Sequence, residues 1–122
     1  MKTQVIAALT VGLGIGLAVP ALQAQGKKPV YVCTSIEPKN LDTYLKDFVP
    51  KAQGLIKSSG GKVLAAGQNV VSLDGAKAPV RMTVQKWESM AALKAYRNSQ
   101  AFKDLNRPQY GTFRAFAIEG DE

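Results

Sequence analysis

Residues 79–105 read PVRMTVQKWESMAALKAYRNSQAFKDL, and the change of period inside this stretch decides the fold. From Pro79 to Trp87, the apolar Val80, Met82 and Val84 alternate with Arg81, Thr83 and Gln85, which is the two-residue period of a strand. From Ser89 onward the apolar residues Met90, Leu93 and Tyr96, then Phe102 and Leu105, recur at three- and four-residue spacing, so a helix capped by Ser89 is expected. Asn98-Ser99 interrupt that run, and a local recapping by their short polar side chains is predicted there.

The same strand-to-helix step occurs upstream. Val30-Tyr31-Val32-Cys33-Thr34-Ser35-Ile36 is rich in β-branched and aromatic residues and stops at Glu37-Pro38, where proline removes a ladder donor. Asn40 then caps an amphipathic segment in which Leu41, Tyr44, Leu45, Phe48, Ala52, Leu55 and Ile56 share one face, until Ser58-Ser59-Gly60-Gly61 ends it. Pro50 inside this segment predicts a kink or a restart, with Pro50 near the first helical position. Lys62 to Leu73 reads as extended, with a bulge or bend near Gly67-Gln68-Asn69, and Asp74-Gly75 makes a turn, so residues 62–87 form a hairpin. Pro108 to Gly111 form a turn, and Thr112 to Ile118 a last strand.

The predicted order is strand, helix, strand, strand, helix, strand. This is an α+β, ferredoxin-like βαββαβ arrangement: a four-stranded antiparallel sheet with both helices on one face. The other face would carry Tyr31, Cys33, Thr83 and one alternating set from Phe113 to Ile118, and these are too apolar to leave in water. A second copy, sheet against sheet about a two-fold axis, is the expected cover. Arg81 is expected on this outer face, pairing with a carboxylate across the dimer. Cys33, the single cysteine, is expected to be a small buried residue without a disulfide partner.

Ahead of the domain, Lys2 precedes fifteen uncharged residues, Val5 to Val19, then Pro20 and Ala21-Leu22-Gln23-Ala24. This is the layout of a secretory signal peptide, and it is short of the ~20 apolar residues that span a bilayer. We expect residues 1–24 to be a cleaved signal, a single domain over 25–122, a periplasmic or secreted location, and no membrane anchor after cleavage. The domain keeps a formal charge of +6 on 98 residues. The basic residues are scattered at spacings that suit wet helix faces, and with export this argues against nucleic acid as a partner.

The 122 residues contain no histidine, which removes Ser-His and Cys-His nucleophile pairs, His-bearing zinc sites and histidine-ligated haem. The carboxylates Glu37, Asp42, Asp47, Asp74, Glu88 and Asp104 fall mostly at helix starts and turns, so no metal site is expected. No cofactor is implied. Gly60-Gly61 is not followed by a helix and is not a phosphate loop.

Gly60-Gly61-Lys62 leading into a strand, Asp74-Gly75 before Pro79-Val80-Arg81, and the run Trp87 to Phe102 with Tyr96-Arg97-Asn98-Ser99-Gln100-Ala101-Phe102 at its end resemble the DUF1330 family over most of residues 29–119. The chain departs from the usual pattern at Asp74, where Glu is common, at Lys86-Trp87, and in carrying an export signal. The resemblance implies a dimeric α/β barrel and no settled activity. The related superfamily includes cofactor-independent monooxygenases and small-ring isomerases that hold an aromatic or lactone substrate between sheet and helices. By that analogy, Tyr31, Tyr44, Trp87, Tyr96 and Phe102 are candidate lining residues, and Arg97, Asn98 and Arg107 candidate donors to a carboxylate or phenolate. The expectation is a homodimer that binds a small aromatic or anionic molecule. The alternatives are a cofactor-independent monooxygenase or isomerase, with its catalytic residues unassigned, and a structural envelope protein.

Overall fold

A computed structural model describes residues 28–120; the expected signal peptide lies outside them. The four strands are β1 (Val30–Pro38), β2 (Lys62–Gly67), β3 (Arg81–Trp87) and β4 (Gly111–Glu119). They form one antiparallel sheet in the order β2-β3-β1-β4. Two helical crossovers connect β1 to β2 and β3 to β4, so the α+β, ferredoxin-like arrangement is the observed one.

The first crossover starts at α1 (Leu41–Thr43), where the Asn40 side chain accepts from the Thr43 N–H at 3.0 Å. A π-helical turn, Tyr44–Phe48, follows, and α2 (Val49–Ser58) restarts with Pro50 in its first turn. Proline has no N–H to donate back along the helix, so a widened turn before it and a fresh start around it answer the same local problem. The second crossover is α3 (Met90–Arg97), capped by Ser89 Oγ from the Ala92 N–H, then α4 (Gln100–Asp104) and α5 (Arg107–Tyr110). Ser99 recaps at the break. Its Oγ accepts from the Phe102 N–H at 3.1 Å and donates to the Tyr96 carbonyl at 2.7 Å. The expected turn at 108–111 is therefore the one-turn helix α5, entered through Asn106 in the left-handed region at φ 52°.

The predicted hairpin is shorter than its sequence suggests. β2 ends at Gly67, opposite Met82, and residues 68–80 are irregular. Pro79 cannot donate to a ladder, and the Val80 N–H is taken by Glu37 Oε2 at 3.3 Å, so no partner strand exists for Val70 to Leu73. Val71 and Leu73 are exposed. The register irregularity falls between Val63 and Ala65, upstream of the expected bend.

The even-numbered residues of β1, from Val30 to Ile36, are buried beneath the helices, which makes its odd residues the outward set. Two apolar clusters form under the helical layer. One holds Val30, Val32, Ile56, Trp87, Leu93 and Tyr96; the other holds Ile36, Tyr44, Phe48 and Ala52. Trp87, at 0% exposure, anchors the strand-to-helix corner, and its ring stacks on Tyr96 with centroids 4.7 Å apart. The chain passes this ring at Gly61, where an added Cβ would lie 2.5 and 2.7 Å from Trp87 Cζ2 and Cε2 and 2.8 Å from Ile56 Cγ2. Gly61→Ala should therefore cost about 1–3 kcal/mol through overpacking. Thermal unfolding checks this, and an unchanged melting temperature would show that the indole can move aside.

Candidate functional site

β3 reverses the usual patterning of a half-buried strand. Trp87 is buried, and with a side-chain period of two it carries Gln85, Thr83 and Arg81 to the same, helix-covered face. Met82 and Val84 point outward. The ladder places Thr83 opposite Thr34, Gln85 opposite Val32 and Arg81 opposite Ile36, so a polar band crosses the inner face between the two apolar clusters. Two expectations are corrected here. Arg81 and Thr83 belong to the inner face, not the outer one, and no dimer-spanning carboxylate is needed to explain Arg81. Cys33 is exposed, because odd residues of β1 face away from the helices.

Over this band, sheet and helices form a partly open cavity of about 60 Å³. That is room for a few waters or one small polar group, and well below the ~150 Å³ that accommodates benzene. An open groove of about 520 Å³ adjoins it, and the two spaces share Arg97, Phe102, Arg107 and Phe113 as walls.

Of the eight residues expected to bind ligand, Tyr44, Tyr96, Arg97, Phe102 and Arg107 line the inner cavity. Three do not. Tyr31 is on the outer sheet face, with the Lys86 ammonium 5.8 Å from its ring centre. Trp87 sits behind Tyr96 in the core, and Asn98 is the exposed cap of α3. The residues missed are Thr34, Arg81, Thr83 and Gln85. For Arg81, Thr83 and Gln85, shared parity with Trp87 was the available signal, because the largest aromatic residue of a strand marks its buried side.

The electrostatics are one-sided. Arg107 Cζ lies 4.4 Å from the Phe113 ring centre and 5.3 Å from that of Phe102, while Arg97 Cζ lies 4.8 Å from Phe102. No Asp or Glu lines either space, and neither guanidinium has a carboxylate partner among the described residues. Burial, with repulsion from Arg97, lowers the Arg107 pKa to about 10, which still leaves it charged at neutral pH. Burial pushes the Tyr96 phenol up against the pull of Arg107 and Arg97. The Tyr44 phenol is likewise raised by burial, against the charge and hydrogen bond of Arg81. Both tyrosines are thus hydrogen-bond donors at neutral pH. Deep in the site, Arg81 is 6% exposed. One Nη donates to Gln68 Oε1 at 2.8 Å, and its Cζ lies 5.6 Å from the Tyr44 ring centre.

The sequence profile of DUF1330, a domain of unknown function, matches residues 29–120. The chain belongs to the DUF1330 family. No curated protein matches it by sequence. Among solved structures, this DUF1330 domain is similar to RPA0582, a protein of unknown function from Rhodopseudomonas palustris. They share 13% identity at a TM-score of 0.64, over 87% of this chain and 94% of that one. It is also similar to SnoaB, a cofactor-independent oxygenase from Streptomyces nogalater (9% identity, TM-score 0.58, 78% and 95% covered). A third is a dabb family protein with a ferredoxin-like fold from Mesorhizobium loti (11%, 0.58, 78% and 99%). At these identities the similarity establishes the fold, and function has to be argued from the site.

Proposed function

We propose that this DUF1330 protein is an exported homodimer that binds a small aromatic carboxylate or phenolate between its sheet and its helices. The observation that carries the reading is the Arg97–Arg107 pair, two cations held against aromatic rings at a groove that no acidic side chain lines among the described residues. Charge-assisted, forked hydrogen bonding suits a planar anion, and Phe102 and Phe113 offer a surface for its ring.

Binding is favoured over catalysis by the same inventory. The titratable side chains lining the inner cavity are the protonated tyrosines and the charged arginines, and none of them accepts a proton at neutral pH. Proton abstraction from a bound phenol, the step a cofactor-free oxygenation would start from, therefore has no side-chain base there. The oxygenase activity of SnoaB accordingly remains a property of that protein.

The single tryptophan is a built-in reporter, since Trp87 stacks on Tyr96 and Tyr96 lines the cavity. Titration with benzoate should change Trp87 emission saturably, and benzyl alcohol, equal in shape but uncharged, should bind at least tenfold more weakly. Equal responses to the two would remove the charge argument.

A further inference from the structure

The inner polar band has a property that the arginine pair at the groove does not account for. Arg81 Nε is buried and has no acceptor within hydrogen-bond distance. A buried guanidinium N–H without a partner costs the desolvation of that group, so an acceptor is expected to meet it in the working molecule. Gln85, farther along the same face of β3, also presents a donor to the cavity. The Trp87 indole N–H can only donate, and it does so to Gln85 Oε1 at 2.9 Å, which fixes the amide with its oxygen toward Trp87 and leaves the NH2 as its remaining group.

Resting on the proposed binding of an aromatic anion, we infer that the ligand is two-headed. Its carboxylate meets Arg97 and Arg107 at the groove, and a second oxygen at the far side of its ring accepts from Arg81 Nε in the inner cavity. Size supports this division. The inner cavity, at about 60 Å³, fits a hydroxyl or carbonyl head, whereas the groove, at about 520 Å³, has space for the ring and the carboxylate. The spaces share Phe102 and Phe113, so one ring lying against them faces both. Arg81 and Arg107 both act on the Tyr44 phenol, so both positive groups lie within electrostatic reach of one side chain that lines the cavity. The ligand class is therefore an aromatic acid that carries a second oxygen on its ring away from the carboxylate, with 4-hydroxybenzoate as a simple probe.

Calorimetric titration of the dimeric protein with benzoate, 4-hydroxybenzoate and 4-methylbenzoate tests this, because the last two are alike in size and differ in the acceptor. The wild-type protein should bind 4-hydroxybenzoate at least tenfold more tightly than 4-methylbenzoate. Arg81→Met should bring that ratio to within twofold. Benzoate binding without a hydroxyl advantage in the wild type overturns the two-headed ligand and leaves the anion site standing, with water serving Arg81. A tenfold advantage that survives Arg81→Met overturns it as well. Absence of binding by all three acids overturns both readings. Should Arg81→Met not fold, the wild-type ratio alone still decides the matter.

Discussion

Replacing Arg107 with methionine is expected to weaken benzoate binding at least tenfold while moving the melting temperature by less than about 4 °C, which for a domain of this size is roughly 1 kcal/mol. Two contributions of Arg107 to the free protein oppose each other. Arg107 is charged in a place that disfavours charge, and because its folded-state pKa lies below the unfolded value, the charged form costs folding free energy at every pH below about 10. Methionine removes that cost. It also removes the cation's contacts with Phe102 and Phe113, each worth about 0.5–1 kcal/mol at a partly exposed site, and the thioether keeps part of the packing. The terms largely offset in the free protein. In the complex they do not, because the anion loses its charged partner. Titration and thermal unfolding of the same variant make the check. Unchanged affinity would dismiss Arg107 as an anion ligand, and a large fall in melting temperature would assign it to the fold instead.

Phe116→Asp combined with Ile118→Asp should break the proposed dimer into monomers in sedimentation at micromolar concentration, a loss of at least a hundredfold in association. Phe116 and Ile118 are 70% and 65% exposed on the outer face of β4. The register lines up Phe116 with Cys33, Val84 and Ala65 across all four strands, giving an apolar row with no helix above it among the described residues. Burying one such large side chain yields about 1.5–3 kcal/mol, a two-fold axis counts each residue twice, and each factor of ten needs about 1.4 kcal/mol. Both side chains lie on the side of the sheet opposite the cavity, so circular dichroism and benzoate binding should persist in the variant. A wild-type protein that sediments as a monomer at this concentration would end the dimer proposal, and a variant that remains dimeric would move the interface elsewhere.

The local elements were legible because each is signalled by residues close together in the chain. Asn40, Ser89 and Ser99 bond backbone groups three residues away, Pro50 reshapes the turn that contains it, and Gly60 adopts the positive φ, 98°, that ends α2. Five of the eight candidate ligand-binding residues come together around one cavity, since helical spacing put Tyr96 on the buried side of its helix and the break at Asn98-Ser99 placed Phe102 beside it.

Which side of β3 faces the helices was signalled in the chain only by Trp87, against the other apolar residues of the strand. Alternation specifies two faces without ranking them, and hydrophobicity pointed the wrong way, to Met82 and Val84. Burial of Trp87 behind Gly61 sets the parity, and that contact joins residues far apart in sequence. Only once it forms do Arg81, Thr83 and Gln85 turn inward to make a polar band, and only then does Arg81 acquire a buried N–H without a partner. The order of elements, their caps and the absence of histidine chemistry are thus properties of the sequence. The site is a property of tertiary packing, because a donor becomes a recognition group when the folded chain has taken water away from it.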